Sequence, residues 1–313
     1  MHTAIALSTM WAQQDRFAQD MTPFAEIARA AGYTHIEVSH ATDETGLRQL
    51  MAQTVLPLSS LHAPTPRSRT ANGRWNLDLN LAALDETERA AALAATLVTI
   101  DRAAEAGVSS VVVHLGAVGA GGVRGDSALR GLYTRGLTSG PDVDAARREA
   151  IEERARRAPA ALDAAAQSLA AIAGHARGRG VRVGIETRMW YHEIPLPDEA
   201  VALLAEYAPD EVGYWHDVGH AEILGRLGLV PVEDWFARLG ERLIGCHLHD
   251  MQGIVDHRAP GLGDVRWDYI ARGVAATPIR TLEINQHQPE AALASALDLL
   301  RAQGVLPAPP VVA

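Results

Sequence analysis

Eight short runs of apolar, often β-branched residues recur along the chain, and the intervals between them carry helical patterns. The runs are TAIALS (3–8), THIEVS (34–39), PLSSLH (57–62), SSVVVH (109–114), VRVGIE (181–186), EVGYWHD (211–217), LIGCHLH (243–249) and TPIRTLEIN (277–285). Their length and bounding turn residues suit strands rather than helices. Thr22 and Pro23 open the first helix, which Gly32 closes. Asp85 with Glu88 makes a capping box, and Leu93, Leu97, Ile100 and Ala104 follow at helical spacing until Gly107. The last helix carries Leu293, Leu297 and Leu300 on one face and ends at Gly304. Strands alternating with helices imply a parallel sheet, and eight such units in 313 residues predict an α/β chain closed as a (β/α)8 TIM barrel. An open doubly wound sheet is the rival, but no G-x-G-x-x-G or G-x-x-x-x-G-K-[ST] is present.

No break in composition marks a second domain. The expected organisation is a barrel over residues 1–305 with a Gly-rich, Arg-containing insertion at about 116–142, and an extended tail at 306–313. A long Ala/Arg/Glu helical region is expected from about 143 to 178, broken or kinked at Pro159. Long loops after barrel strands lie at the active-site rim and often act as lids, so Arg124, Arg130 and Arg135 are candidates for a phosphate clamp.

Composition narrows the partners. Lys plus Arg number 28 against 38 Asp plus Glu, a net charge of −10, which gives no broad basic surface for nucleic acid. ARREAIEERARR (146–157) reads as a solvated helix face, because Glu152 with Arg156 and Glu153 with Arg157 are i,i+4 pairs. The single cysteine, Cys246, excludes an intrachain disulfide and points to a reducing compartment. The first residues, MHTAIALSTMW, lack the basic segment of a secretory signal, and no stretch reaches the length of a membrane span. A cytoplasmic location is expected.

In a (β/α)8 barrel the active-site groups sit where strands end. His62 ends the third strand, His114 the fourth, Glu186 the fifth and Asp217 the sixth; His247 lies near the end of the seventh and Glu283 near the end of the eighth. Taken singly, most have ordinary explanations: a hydrogen-bonded histidine, or an Asp217 that only shapes the turn in D-V-G-H. Taken together, carboxylates and imidazoles converging on one rim need a cation between them. Mixed oxygen and nitrogen donors without thiolate suit Mn²⁺, Co²⁺, Mg²⁺ or Zn²⁺. His220 follows Asp217 by three residues and faces the same cavity, and His249 shares the inward face of His247 by period two.

The segments SLHAP, VVVHLG, VGIETR, WHDVGHA, CHLHD, DHRAPGLG and TLEIN, in this order, resemble the xylose-isomerase-like TIM-barrel superfamily. That superfamily holds sugar-phosphate isomerases and epimerases, ketose 3-epimerases, inosose dehydratases and endonuclease IV. The resemblance implies one divalent metal held by Glu186, Asp217, His247 and Glu283, with Glu186 and Glu283 also the catalytic acid/base pair. Arg188 would bind a substrate hydroxyl or phosphate, or close a salt bridge within the site. His249 would orient a ligand or touch substrate.

The endonuclease branch implies a fuller set of two or three zinc ions, with His62 and His114 sharing Glu186 and with His220 and His257 on another ion. There the chain departs from the pattern: Asp256 directly precedes His257 instead of standing two residues before the histidine, and Leu262 replaces a common glutamate. His62, His114, His220 and His257 are therefore candidates for either sugar contact or additional metal. The resulting expectation is a metal-dependent isomerase or epimerase of a small sugar, sugar phosphate or polyol. The alternatives are an endonuclease IV-like zinc phosphodiesterase on abasic DNA and an inosose-dehydratase-like lyase. The expected partner is a carbohydrate, and a homodimer is a candidate assembly because barrels of this kind often dimerise.

Overall fold

The computed structural model describes residues 3–119 and 121–308. Seven strands come first: β1 (Ala4–Ser8), β2 (His35–Val38), β3 (Leu58–His62), β4 (Ser110–Val113), β5 (Arg182–Glu186), β6 (Val212–Asp217) and β7 (Leu243–Leu248). A short antiparallel hairpin, β8 (Asp250–Gln252) and β9 (Val255–Arg258), follows β7, and β10 (Ile279–Leu282) is the last. Strands β1 to β7 pair in parallel in chain order, and β10 joins β7 to β1, closing an eight-stranded barrel. The (β/α)8 expectation holds, and the chain forms a single domain around it.

Alternation along the strands separates two apolar regions. One lies between strands and helices and takes in residues from Ile5 to Leu306. The other joins Trp215 to Ala4, Val112, Ile244 and Ile279. These come from β1, β4, β6, β7 and β10, which can meet only inside the barrel. Glycine makes room there: a Cβ on Gly245 would fall 2.1 Å from Trp215 Cζ3, and one on Gly184 2.9 Å from its Cε3. The indole therefore plugs the barrel. Two residues further along the same strands stand Glu186, Asp217 and His247, so the plug is the floor of the polar rim.

Two local expectations need correction. Pro159 does not interrupt its helix, which runs unbroken over Pro141–Arg177. A proline costs one backbone hydrogen bond, and here Ala158, Ala161, Ala164 and Ala165 bury that stretch against the rest of the protein. Tertiary packing outweighs the local penalty. The Gly-rich segment is also more ordered than a loop, since it contains the helix Arg124–Thr134. Gly125 lets that helix approach closely, because a Cβ there would sit 2.3 Å from the Ala150 nitrogen. Within the tail, Leu306 is buried and its N–H donates to the Leu300 carbonyl at 3.1 Å, while residues 309–313 lie outside the described residues. Among the described residues no helix is long and apolar enough to cross a membrane.

Candidate metal centre and active site

Every rim residue expected from the sequence lies at the C-terminal end of the barrel. His62, Glu186 and Asp217 end their strands; His114 and Glu283 stand one residue past theirs; His247 is next to last in β7. The parallel register brings them together, with Asp217 opposite His247 and His247 opposite Thr281.

His247 is at the centre. Its Nδ1 lies 3.1 Å from Glu186 Oε1, 3.0 Å from Glu283 Oε2 and 3.6 Å from Asp217 Oδ2. One donor atom from each of these four residues falls within 4.8 Å of the others, and all four side chains are buried. The opposite nitrogen, Nε2, meets Glu37 Oε1 at 3.0 Å. Glu37 is itself fixed by Ser60 Oγ at 2.7 Å and Thr281 Oγ1 at 3.2 Å, both donating to its Oε2.

Three carboxylates this close and this deep repel one another unless positive charge lies among them. Burial, the largest influence on His247, lowers its pKa, but Glu283, Glu37 and Glu186 together hold it well above the ordinary histidine value. Burial raises Glu186, yet His114, His247 and His62 together hold its carboxyl well below the usual range. Glu283 is likewise lowered, with burial opposed first by His247. Its Oε1 is buried without a hydrogen-bond partner, which is costly unless a cation or a substrate hydroxyl fills the place. The donor set therefore fits a divalent cation, with Glu37 holding the imidazole from behind as carboxylates commonly do for metal-binding histidines.

A second group of donors shares Asp217. Asp217, His220, His249 and His257 also offer donor atoms within 4.8 Å of one another. Asp217 Oδ1 accepts the His220 backbone N–H at 2.7 Å, capping the helix Val218–Arg226. The turn and ligand readings of D-V-G-H are therefore compatible in one side chain. His249 Nε2 lies 3.0 Å from Asp217 Oδ1, and its Nδ1 accepts the His257 backbone N–H at 2.9 Å. The second contact places the His249 proton on Nε2, as donor to Asp217. His220 Nδ1 donates to the Thr187 carbonyl at 2.9 Å, leaving Nε2 as an acceptor, and burial keeps its pKa low.

His257 projects from β9 with a backbone φ of 54° and stacks on His249, ring centroids 4.2 Å apart. Burial lowers its pKa, but the partners Asp256 and Glu283 outweigh burial and lift it to about 10. Asp256 Oδ2 is 3.2 Å from His257 Nδ1.

On the other side, His62 Nε2 and His114 Nε2 approach Glu186 Oε2 at 3.0 and 2.6 Å. Arg188 binds Glu193 Oε1 through Nε and Nη2 at 3.1 and 2.9 Å and extends Nη1 to His114 Nε2 at 2.6 Å. Burial first, and then Arg188, holds His114 well below its ordinary value. Arg188 is thus part of a salt bridge and also lines the cavity. That cavity, about 290 Å³, is walled by His40, His62, His114, Arg188, His220 and His257, with Glu186 and Glu283 at its base.

Arg124, Arg130 and Arg135 do not line it. Arg124 pairs with Glu149 at 3.4 Å, and Arg130 is held by Asp126 at 3.0 Å over the ring of Trp190. Arg154, read as part of a solvated face, is buried and paired with Glu199.

Two residues of the site escaped the sequence reading. Glu37 sits at the inward parity of HIEV, where a lone carboxylate in an apolar strand is itself a signal. His40, just beyond β2, packs edge-on to His62 with centroids 4.7 Å apart, and burial, with His62 adding, pushes it down to about 3. Nothing distinguishes it in sequence from a turn histidine.

Comparison with solved structures places the chain among similar barrels. A D-tagatose 3-epimerase-like protein superposes with a TM-score of 0.67 at 16% identity, covering 96% of each chain. D-psicose 3-epimerase with D-tagatose, from Clostridium cellulolyticum H10, gives 0.64 at 14%, covering 96% of this chain and 99% of that one. The apo 3-keto-D-glucoside 4-epimerase of E. coli gives 0.60 at 17%, with coverage of 96% and 99%. Among curated sequences, the uncharacterized protein y4fM of Sinorhizobium fredii (strain NBRC 101917 / NGR234) is 33% identical over 113 residues. The match spans 35% of this chain and 34% of that relative. The sequence pattern of the xylose isomerase-like TIM barrel family matches residues 25–303, nearly the whole chain, and the protein belongs to that family.

Proposed function

We propose that the protein is a divalent-metal-dependent isomerase or epimerase of a small sugar or polyol. The observation that carries this reading is the buried convergence of Glu186, Asp217 and Glu283 on His247 Nδ1, at the base of a cavity sized for a small molecule. A cation held by those four residues would polarise a carbonyl and an adjacent hydroxyl, acidifying the C–H bond between them. Three carboxylates with one imidazole suit the harder ions among the candidates, Mg²⁺, Mn²⁺ and Co²⁺.

The chain's own groups supply the proton transfers. Glu283, with one oxygen free of hydrogen bonds, is suited to take a proton from carbon. Glu186, held ionised among His62, His114 and His247, is its counterpart as a base in the reverse direction, and to return a proton to carbon it would first take one from His62, whose Nε2 lies 3.0 Å from its Oε2. His220 Nε2 and the Arg188 guanidinium stand ready to orient hydroxyls, while His249 holds Asp217. The likeness to a D-tagatose 3-epimerase-like protein and to a D-psicose 3-epimerase supports the same chemistry.

A second reading, a zinc phosphodiesterase, draws support from the donor group Asp217, His220, His249 and His257. An inosose-dehydratase-like lyase would share the proton abstraction. The deciding experiment incubates the metal-loaded protein with ketohexoses in D₂O and follows the carbon-bound protons by NMR. Exchange at a carbon next to the ketone, with a new epimer or aldose appearing, supports the reading. Elimination of water instead points to the lyase. No exchange with any ketohexose, together with cleavage of an abasic oligonucleotide, would replace it with the nuclease.

A further inference from the structure

The cavity over the metal-ligand cluster does not end at its own walls. Leu77, His114 and Arg188 line both it and a second hollow of about 670 Å³ that leads outward between the segments after β3 and β4. The neck residue Leu77 is 38% exposed, and Leu84 further out is 65% exposed, so the trough offers two bare apolar side chains.

The trough is a built feature, held at both sides. Asn80 Oδ1 accepts the backbone N–H groups of Ala117 and Ala82, both at 2.9 Å, while its Nδ2 donates to the Ala117 carbonyl at 3.0 Å. One amide thus joins the two loops that wall the trough. Gly116 is required at that junction: its φ is 100°, and a Cβ would lie 2.1 Å from Asn80 Oδ1. Glu193 fixes the third side, accepting from Arg188 at 2.9 Å and from the Trp190 N–H at 2.9 Å.

The charges decide what fits. Both arginines that line the outer hollow already have carboxylate partners: Arg74 with Glu88 at 3.0 Å, and Arg188 with Glu193. The remaining charged side chains lining it, Asp78 and Asp85, are acidic. Such a surface does not suit a phosphate. It suits a neutral group with hydroxyls on its edge and C–H bonds on its face, since carboxylates accept from the hydroxyls and leucines cover the C–H surface.

We infer that the outer hollow binds a second, uncharged glycosyl unit, so that the preferred substrate is a glycosylated sugar rather than a free monosaccharide or a sugar phosphate. The reacting ring occupies the inner cavity, and the glycosidic link passes the neck at Leu77. This rests on the reading of the inner cavity as a sugar site.

The test compares fructose, fructose 6-phosphate and four glucosylfructoses that keep a free ketone, with glucose on O3, O4, O5 or O6. Each is titrated calorimetrically into Mn²⁺-loaded protein, and solvent exchange is followed in D₂O. At least one glucosylfructose should bind about tenfold more tightly than fructose. In Leu84→Glu, whose site is exposed enough to accept the change without disturbing the core, that ratio should shrink to within about twofold. Exchange of fructose with no gain from any glucosyl group overturns the inference and leaves the sugar-isomerase reading in place. Tighter binding of fructose 6-phosphate than of every glucosylfructose also overturns it. Neither binding nor exchange with any of these ketoses removes both.

Discussion

His247 Nε2 lies 3.0 Å from Glu37 Oε1, across the barrel from β7 to β2, while Nδ1 of the same ring faces three other carboxylates. The carboxylate behind the ring fixes which nitrogen carries the proton and which is free to bind. Glu37→Gln should therefore weaken metal binding about 10- to 100-fold while leaving the far-UV circular dichroism unchanged. Competition with a chromogenic chelator measures it. Unaltered affinity would mean that the Glu37 contact has no bearing on the metal.

Loss of either proposed acid/base carboxylate should be more severe for turnover than for folding. Glu186→Gln and Glu283→Gln are each expected to reduce turnover about 100- to 10,000-fold. Because both also supply donor atoms to the cluster, metal content must be measured on the same samples. A variant that retains metal and full activity would remove that residue from the chemistry.

The hairpin β8–β9 predicts a pH signature in metal-free protein. His257 is lifted to about 10, against burial, by Asp256 and Glu283. Asp256 is lowered to about 2, with burial outweighed by His257. The His257 contribution to stability is complete below the unfolded histidine value and is lost as pH rises towards 10. The Asp256 contribution is complete above the unfolded aspartate value and is lost as pH falls towards 2. The pair should therefore stabilise the metal-free protein most from about pH 4 to 6.5. NMR titration should find the His257 ring still charged at pH 8 and show its pKa falling in Asp256→Asn. A His257 that titrates near 6.5 would contradict the geometry.

Cys246 is fully buried, and burial pushes its thiol up to about 12. Native protein should not react with a thiol-disulfide reagent at pH 8, whereas denatured protein should release one equivalent per chain. Rapid labelling of the native state would mean that the thiol is open to solvent.

The plug beneath the site gives a stability prediction. Gly245→Ala drives a methyl group into the indole of Trp215, and overpacking of this kind costs about 1–3 kcal/mol. Denaturant unfolding measures it, and an unchanged midpoint would mean that the indole can move aside.

The parts of this architecture legible in sequence were those governed by period. The strand ends of VRVGIE, EVGYWHD and LIGCHLH bring Glu186, Asp217 and His247 to one rim, and period two adds His249 to the face of His247; the structure gathers them there. Positions governed by contact were not legible. Pro159 continues a helix because alanines on that helix are buried, and nothing near it in sequence says so. Gly125 resembles its loop-forming neighbours, yet serves the approach of two helices. Glu37 carried a readable signal in its inward parity, but its partner His247 is 210 residues away. The pairing of Arg188 with Glu193 was half legible, since a salt bridge was one of its two expected roles.

One divalent cation is expected among Glu186, Asp217, His247 and Glu283. Elemental analysis of protein purified without chelators, exposed to excess Mn²⁺ and Zn²⁺ and then desalted, tests it directly. The expected result is a plateau of about one metal per chain, abolished by Glu186→Gln or Glu283→Gln and retained in His257→Ala. A plateau of two or three zinc ions, falling stepwise in His114→Ala and His257→Ala, would contradict it and make the histidines around the rim ligands in their own right.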